Sequence, residues 1–178
     1  MDIKNTQEHF GIVAIGFHWI MALLLIGMVS VGLYMTSLPN SLLKLKLYGW
    51  HKEFGFLVLM LVMLRIIWRL KNILPSYGQL STFEYYASQI VHWLFYGFMF
   101  ALPITGWIMT SAAGFPVSFF GLFIIPTVVP ANNNTMELFA SIHKWLAYGL
   151  IATFSLHVLA ALKHHFIDKD DILKRMLK

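Results

Sequence analysis

Long apolar stretches alternate with short charged ones along the chain, and this alternation predicts four membrane-spanning helices. Spanning a bilayer takes about 20 predominantly apolar residues in a helix. The predicted spans cover residues 12–35, 48–70, 85–110 and 145–162. The apolar run of the first is too long for a cleaved signal peptide, so we expect it to remain as a span.

A fifth apolar stretch, from Phe115 to Val129, is bounded or interrupted by three prolines and is short for a span. We expect it to form an interfacial or re-entrant loop. Pro103 lies within the third span, where neighbouring helices can satisfy the carbonyl group that it frees. The pattern therefore predicts an all-α, integral membrane four-helix bundle, with residues 1–178 forming a single domain.

The composition agrees with this interpretation. Hydrophobic residues make up 58% of the chain and charged residues only 12%, whereas soluble domains average about 25% charged residues. The chain has no cysteine, which excludes disulfides, iron–sulfur clusters, thiolate metal sites and covalent haem attachment. Histidine is therefore the abundant metal-ligand type that remains within the apolar segments.

The distribution of Lys and Arg predicts the orientation of the bundle. Four spans place both termini on one side, and the side richer in Lys and Arg is expected to be cytoplasmic. The termini and the second loop carry nine such residues: Lys4, Arg65, Arg69, Lys71, Lys163, Lys169, Lys174, Arg175 and Lys178. The opposite side carries four: Lys44, Lys46, Lys52 and Lys144. The pI near 9.5 is explained by this topology, so no nucleic-acid partner is expected.

Five histidines fall within the predicted spans or at their ends, and they sort into two layers by depth. His51 and His143 open the second and fourth spans on the outer side. His18, His92 and His157 lie about 9–12 Å from the inner ends, at 1.5 Å per residue. His143 and His157 are separated by about 21 Å along one helix and share a face to within about 40°.

Imidazoles at membrane depth need partners for their nitrogens. An iron porphyrin between two helices, held by one histidine from each, would satisfy them. Packing histidines and a proton relay are the alternatives, although a relay would need acidic partners and no Asp or Glu lies in the middle of a span. Depth alone does not choose between His18 and His92 as the inner ligand.

Other residues near the histidine layers allow two interpretations each. Arg65 and Arg69 could pair with haem propionates, but positive-inside topology also explains them. His164 and His165 are expected to be solvated. Glycines near the histidines could admit a flat macrocycle or could serve helix packing, and they are Gly16, Gly55, Gly97, Gly106 and Gly149.

Several segments together resemble the bacterial cytochrome b561 family, and they cover nearly the whole chain. They are "FHWIMALLL" in the first span, "WHKEFG" and "RIIWRL" at the ends of the second, "HWLFYGFMFALPITG" in the third, and "HKWLAYG" followed by "LHVLAALKHHFIDKDDILKRM" at the end. A more distant similarity links the chain to the b-type cytochrome subunits of nickel–iron hydrogenases and formate dehydrogenases.

The resemblance implies two non-covalent haem b groups, each with two histidine ligands. His51 and His143 would hold the outer iron, and His18 and His157 the inner one. His92 would then lie beside the inner haem or in a quinone pocket, or replace His18 as a ligand.

The resemblance also implies electron transfer in a bacterial inner membrane, from a periplasmic donor, superoxide, to ubiquinone. Lys44, Lys46, Lys52 and Lys144 outnumber Glu53 and Glu137 on the outer side. They would steer an anion towards the outer haem, although anchoring of helix ends explains them equally well. The alternative function is an electron-transfer subunit that links a dehydrogenase or hydrogenase to quinone. A homo-oligomer and a redox partner subunit are both compatible with the sequence.

Overall fold

The computed structural model describes residues 2–76 and 80–177, most of which lie in four long helices. The helices are α1 (Ile12–Ser37), α2 (Leu42–Lys71), α3 (Thr82–Ala112) and α4 (Asn133–Lys163). A short π-helix, His164–Asp168, continues α4, and a 3-10 helix follows at Lys174–Met176. The four predicted helices are therefore present, and Lys178, counted above among the inner cations, lies outside the described residues.

Polar caps explain why α2 and α4 begin well before the predicted spans. The Ser41 side chain accepts a hydrogen bond from the backbone of Lys44 at 3.2 Å. The Asn132 side chain accepts one from the backbone of Thr135 at 3.0 Å. Such caps satisfy backbone N–H groups that the first turn of a helix leaves free. His51 and His143 consequently lie inside their helices rather than at the start of them.

Three of the helices are long and apolar enough to cross a membrane: α1, α3, and α4 together with its π-helical extension. The prediction of four such spans therefore holds for three helices. α2 has the length, but it carries seven charged residues, which are Lys44, Lys46, Lys52, Glu53, Arg65, Arg69 and Lys71. These residues lie towards its two ends, where long basic side chains can reach the membrane surface, and residues 54–64 between them are uncharged.

The helices pack in chain order, with α2 against α1 and α3, and α3 against α4. A compact apolar cluster of Met21, Val58, Val62, Tyr96 and Met99 joins α1, α2 and α3. Large apolar side chains elsewhere point outward, as expected of helices that face lipid rather than water. Because α4 packs mainly on α3, a space separates α4 from α1 and α2. The histidines of α4 face those of α1 and α2 across this space.

The fifth apolar stretch forms a β-hairpin, with β1 (Val117–Phe119) antiparallel to β2 (Phe123–Ile125). One face of the hairpin packs against Phe56 of α2 and Trp107 of α3. The prediction that this stretch is no fifth spanning helix is confirmed. Where we expected an interfacial or re-entrant loop, the structure has a paired hairpin, whose two strands satisfy backbone groups of each other.

Both ends of the described chain meet the α2–α3 connection at one end of the bundle, which we call the inner end. Trp19 donates a hydrogen bond to the carbonyl of Met176 at 2.6 Å. Arg175 donates to the carbonyl of Ser76 at 2.7 Å, and the backbone of Ser76 donates to Gln7 at 2.9 Å. Both ends of the described chain therefore lie at the same end of the bundle, as a four-span topology requires.

Candidate functional site

The outer histidines, His51 of α2 and His143 of α4, face each other across the bundle. Their ring centroids are 6.3 Å apart and their planes are inclined by 73°. Each ring lies beside a glycine of the preceding helix. A Cβ atom on Gly32 would come within 3.3 Å of Cε1 of His51, and one on Gly106 within 3.4 Å of Cε1 of His143. These two glycines leave the space that the imidazoles occupy.

The two outer rings differ in their hydrogen bonding. Nδ1 of His143 lies 3.1 Å from the hydroxyl oxygen of Thr105, a buried residue of α3. Nδ1 of His51 is buried and has no hydrogen-bond partner among the described residues. The ring of His143 is therefore held by a hydrogen bond to Thr105, whereas Nδ1 of His51 has no such bond to a described residue.

The inner histidines form a cluster of three around His157. The ring centroid of His157 is 6.3 Å from that of His18 and 5.9 Å from that of His92. Phe95 closes a further side of the His157 ring at 5.4 Å. The structure thus brings together all three residues of the predicted inner layer, and centroid distances leave both His18 and His92 within reach of a shared metal.

Both proposed ligand pairs fit a metal held between two imidazoles. Metal–imidazole bonds of about 2.0–2.1 Å on opposite sides of one ion hold the ring centroids roughly 6 Å apart. The His51–His143 and His18–His157 pairs both show 6.3 Å. Histidine is an established ligand of haem iron, so each of these pairs could hold one haem.

A cavity of about 600 Å³ surrounds the inner histidines. This volume is within the range of about 300–1,000 Å³ that is usual for cofactor sites. Its walls are mostly apolar, and its polar lining includes His18, His92, His157, Tyr96, Arg65 and Arg69. The inner cluster therefore has the room for a bulky, largely apolar group.

Two arginines give this cavity a positive charge. The guanidinium groups of Arg65 and Arg69 lie 5.9 and 5.7 Å from the ring centre of the buried Tyr96. Cation–π contacts of this length stabilise both side chains in place. Arg65 also approaches His18, with 3.4 Å between Nη2 and Nδ1. An anionic group in this cavity would be attracted by the guanidinium groups of Arg65 and Arg69.

The carboxylates near the cavity are already paired. Nζ of Lys163 lies 2.9 Å from Glu84 and 2.7 Å from Asp168. These two carboxylates and His164 are close enough together to surround a cation, and the ammonium of Lys163 neutralises one of the two negative charges. The remaining single negative charge offsets only part of the positive charge of Arg65 and Arg69.

The prediction that His164 and His165 are solvated was wrong. Nδ1 of His164 lies 2.6 Å from Asp170, and the two side chains are each only 12% exposed. Nδ1 of His165 is buried. The cause is the left-handed backbone of Lys169, with φ of 57°, which turns the chain back over the end of α4.

The four outer lysines have different surroundings. Nζ of Lys44 donates to the carbonyl of Leu38 at 2.7 Å, so Lys44 caps the C-terminal end of α1. Lys52 is half-buried, whereas Lys46 and Lys144 are exposed. Helix anchoring therefore accounts for Lys44, and Lys46 and Lys144 are the cations most open to solvent.

Comparison with known proteins decides the family. The family model described as prokaryotic cytochrome b561 matches residues 9–178. The chain belongs to the prokaryotic cytochrome b561 family. The resemblance seen in its sequence segments is thereby confirmed, and the family implies electron transfer in a membrane with haem b.

Curated relatives of the chain agree with the assignment. It is 35% identical over 188 residues to cytochrome b561 homolog 2 of Escherichia coli strain K12, covering 99% of this chain and 95% of that protein. It is 31% identical over 173 residues to the probable superoxide oxidase CybB of Yersinia pestis, covering 96% and 97%. A third relative, cytochrome b561 homolog 1 of Escherichia coli strain K12, is 33% identical over 131 residues, or 71% and 72% of the two chains.

The sequence did not point to three residues that shape the histidine sites. Gly32 and Thr105 contact the outer rings, and Tyr96 contacts the two arginines. Each of these contacts joins two different helices, so the residues involved are far apart in the sequence. Of the five glycines singled out from sequence, only Gly106 has a histidine ring next to the position of its absent Cβ.

Proposed function

We propose that this protein is a di-haem b-type cytochrome of the bacterial inner membrane that takes electrons from superoxide at the outer side and delivers them to ubiquinone. In this reaction two superoxide anions each lose one electron to become dioxygen. One ubiquinone takes up both electrons together with two protons. The name of the Yersinia pestis relative supports superoxide as the donor.

The observation that carries the proposal is that α4 contributes one histidine to each of two pairs, and that the ring centroids are equally far apart in both pairs. The pairs are His51 with His143 and His18 with His157, both at 6.3 Å. His143 and His157 are about 21 Å apart along α4 at 1.5 Å per residue. The arrangement supports one haem near each membrane surface. His51 and His143 would hold one haem and His18 and His157 the other, and each haem would supply one-electron transfer when bound.

The ligand set also suggests a role for the inner arginines. An imidazole that binds iron through Nε2 carries its proton on Nδ1, and such a nitrogen cannot accept a hydrogen bond from Arg65. We infer that Arg65 leaves His18 when the inner site is loaded and, with Arg69, pairs with the propionate carboxylates. Arginine is suited to this role because its guanidinium forms paired hydrogen bonds with a carboxylate. His92 then lies beside the inner haem and is the alternative ligand.

The excess of Lys and Arg at the inner end supports an orientation with both termini in the cytoplasm. The His51–His143 pair then lies on the periplasmic side, where superoxide would arrive. The surrounding lipid and membrane-dissolved quinone complete the set of partners.

A superoxide pulse tests the function directly. Purified, haem-loaded protein in vesicles containing ubiquinone should show rapid haem reduction in stopped flow, followed by formation of one ubiquinol for every two superoxide anions consumed. Superoxide dismutase, added first, should abolish the signal. Reduction that needs an added iron–sulfur protein and does not respond to superoxide would instead support an electron-transfer subunit for a dehydrogenase or hydrogenase.

Electrostatic steering makes a second prediction. Replacing both Lys46 and Lys144 with glutamine should slow haem reduction by superoxide by about 10-fold at low ionic strength. The difference should vanish near 1 M salt, where the screening length falls to about 3 Å. Lys71→Gln, at the inner end of α2, is the matched control and should behave as the wild type. A rate that does not depend on salt would contradict steering and leave these lysines as helix anchors.

A further inference from the structure

We propose that Thr105 is a positioning residue that fixes His143 in the tautomer required for iron binding and thereby sets the redox potential of the outer haem. The inference rests on the proposed function, since it concerns the outer ligand pair. It begins from the hydrogen bonds of one buried hydroxyl group on α3.

The hydroxyl of Thr105 has three neighbours and a single proton. Its oxygen lies 2.8 Å from the carbonyl of Ala101, 2.9 Å from the carbonyl of Leu102 and 3.1 Å from Nδ1 of His143. Carbonyl oxygens only accept, so the hydroxyl proton serves the two shorter contacts. Threonine in a helix commonly donates to a carbonyl of the preceding turn in this way. The remaining contact requires His143 to donate through Nδ1–H.

The ring of His143 is held close to this part of α3 because residue 106 is glycine, whose absent Cβ would lie 3.6 Å from Nδ1. With the proton on Nδ1, the lone pair of the neutral imidazole is on Nε2.

Two of the other proposed ligands are not held in this way. Nδ1 of His51 has no partner among the described residues, and Nδ1 of His18 faces the guanidinium of Arg65, which can only donate. His143 therefore differs from His51 and His18 in that the protein sets its tautomer before iron is bound. An acceptor on Nδ1–H also makes the imidazole a stronger donor, which favours ferric over ferrous iron and lowers the potential.

The test is a redox titration of the purified, haem-loaded protein, followed by its visible and electron paramagnetic resonance spectra. Thr105→Val should raise the potential of one haem and shift its low-spin resonance, with the other haem unchanged. Thr105→Ser keeps the hydroxyl and should restore wild-type values. Thr110→Val, at another buried threonine of α3, controls for the loss of a hydroxyl from the same helix. His51→Ala identifies which signal belongs to the outer haem.

The outcomes separate this inference from the proposed function. Loss of the outer haem in Thr105→Val with full retention in Thr105→Ser would also support a positioning role. Unchanged potentials and spectra in Thr105→Val, or equal haem loss in the valine and serine variants, would overturn it. A wild-type protein in which no haem signal depends on His51 or His143 would instead overturn the proposed outer site itself.

Discussion

Replacing His157 with alanine should remove the inner haem and leave the outer haem in place. The imidazole of His157 is the member of the inner cluster that both other histidines approach, at 6.3 Å for His18 and 5.9 Å for His92. Without it the remaining rings lack a partner on α4, and α4 is the helix that closes the space across from α1. A pyridine haemochrome assay on the purified variant should count one haem where the wild type has two.

The matched variants decide which residue completes the inner pair. His18→Ala should lose the same haem as His157→Ala, whereas His92→Ala should retain both haems with a modest spectral change. The opposite pattern, with haem lost in His92→Ala and kept in His18→Ala, would assign His92 as the ligand. A wild type that binds no haem would reject the two-haem proposal and favour a structural or proton-carrying role for these histidines.

Gly32→Val should have the second largest effect, the loss of the outer haem. A single Cβ at this position would already lie 3.3 Å from Cε1 of His51, and the valine methyl groups would extend further into the ring. Overpacking of this kind forces side chains from their preferred positions. No described residue forms a hydrogen bond with Nδ1 of His51 that would resist displacement of the ring. The haemochrome assay should again count one haem, and the remaining potential should be that of the inner site.

Gly27→Val is the control, because a Cβ at Gly27 of the same helix would meet no atom within 4 Å. It should keep both haems and the wild-type spectrum. Equal haem loss in the two variants would mean that valine disturbs α1 or its assembly in the membrane generally, and the specific contact between Gly32 and His51 would then carry no weight.

The outer and inner histidines differ in how tightly the surrounding residues pack against them. The outer rings lie against glycines, and one of them is hydrogen-bonded to Thr105. The inner rings line a cavity of about 600 Å³ together with a pair of arginines. We therefore expect substitutions near the outer pair to act through packing and those near the inner cavity to act through charge.

The pattern of residues along the chain was enough to predict four helices and two histidine layers, and its motifs were enough to suggest the family. Helical spans follow from runs of apolar residues, because each backbone polar group in a bilayer must be satisfied within its own segment. The depth of a histidine follows from its distance along the helix, since the rise per residue is fixed. The spans and the depths of the histidines depend only on the local sequence, so they can be predicted from the order of residues along the chain.

The neighbours of each histidine, in contrast, became visible only in the folded structure. The contact of Gly32 with His51, the bond from His143 to Thr105 and the approach of Arg65 to His18 all depend on the rotation of one helix against another. The hairpin at Val117–Ile125 depends on long-range packing, and the partial burial of His164 depends on a left-handed turn at Lys169. Such contacts join residues far apart in the chain, and the apolar pattern of α1 has too little asymmetry to indicate which face turns inward.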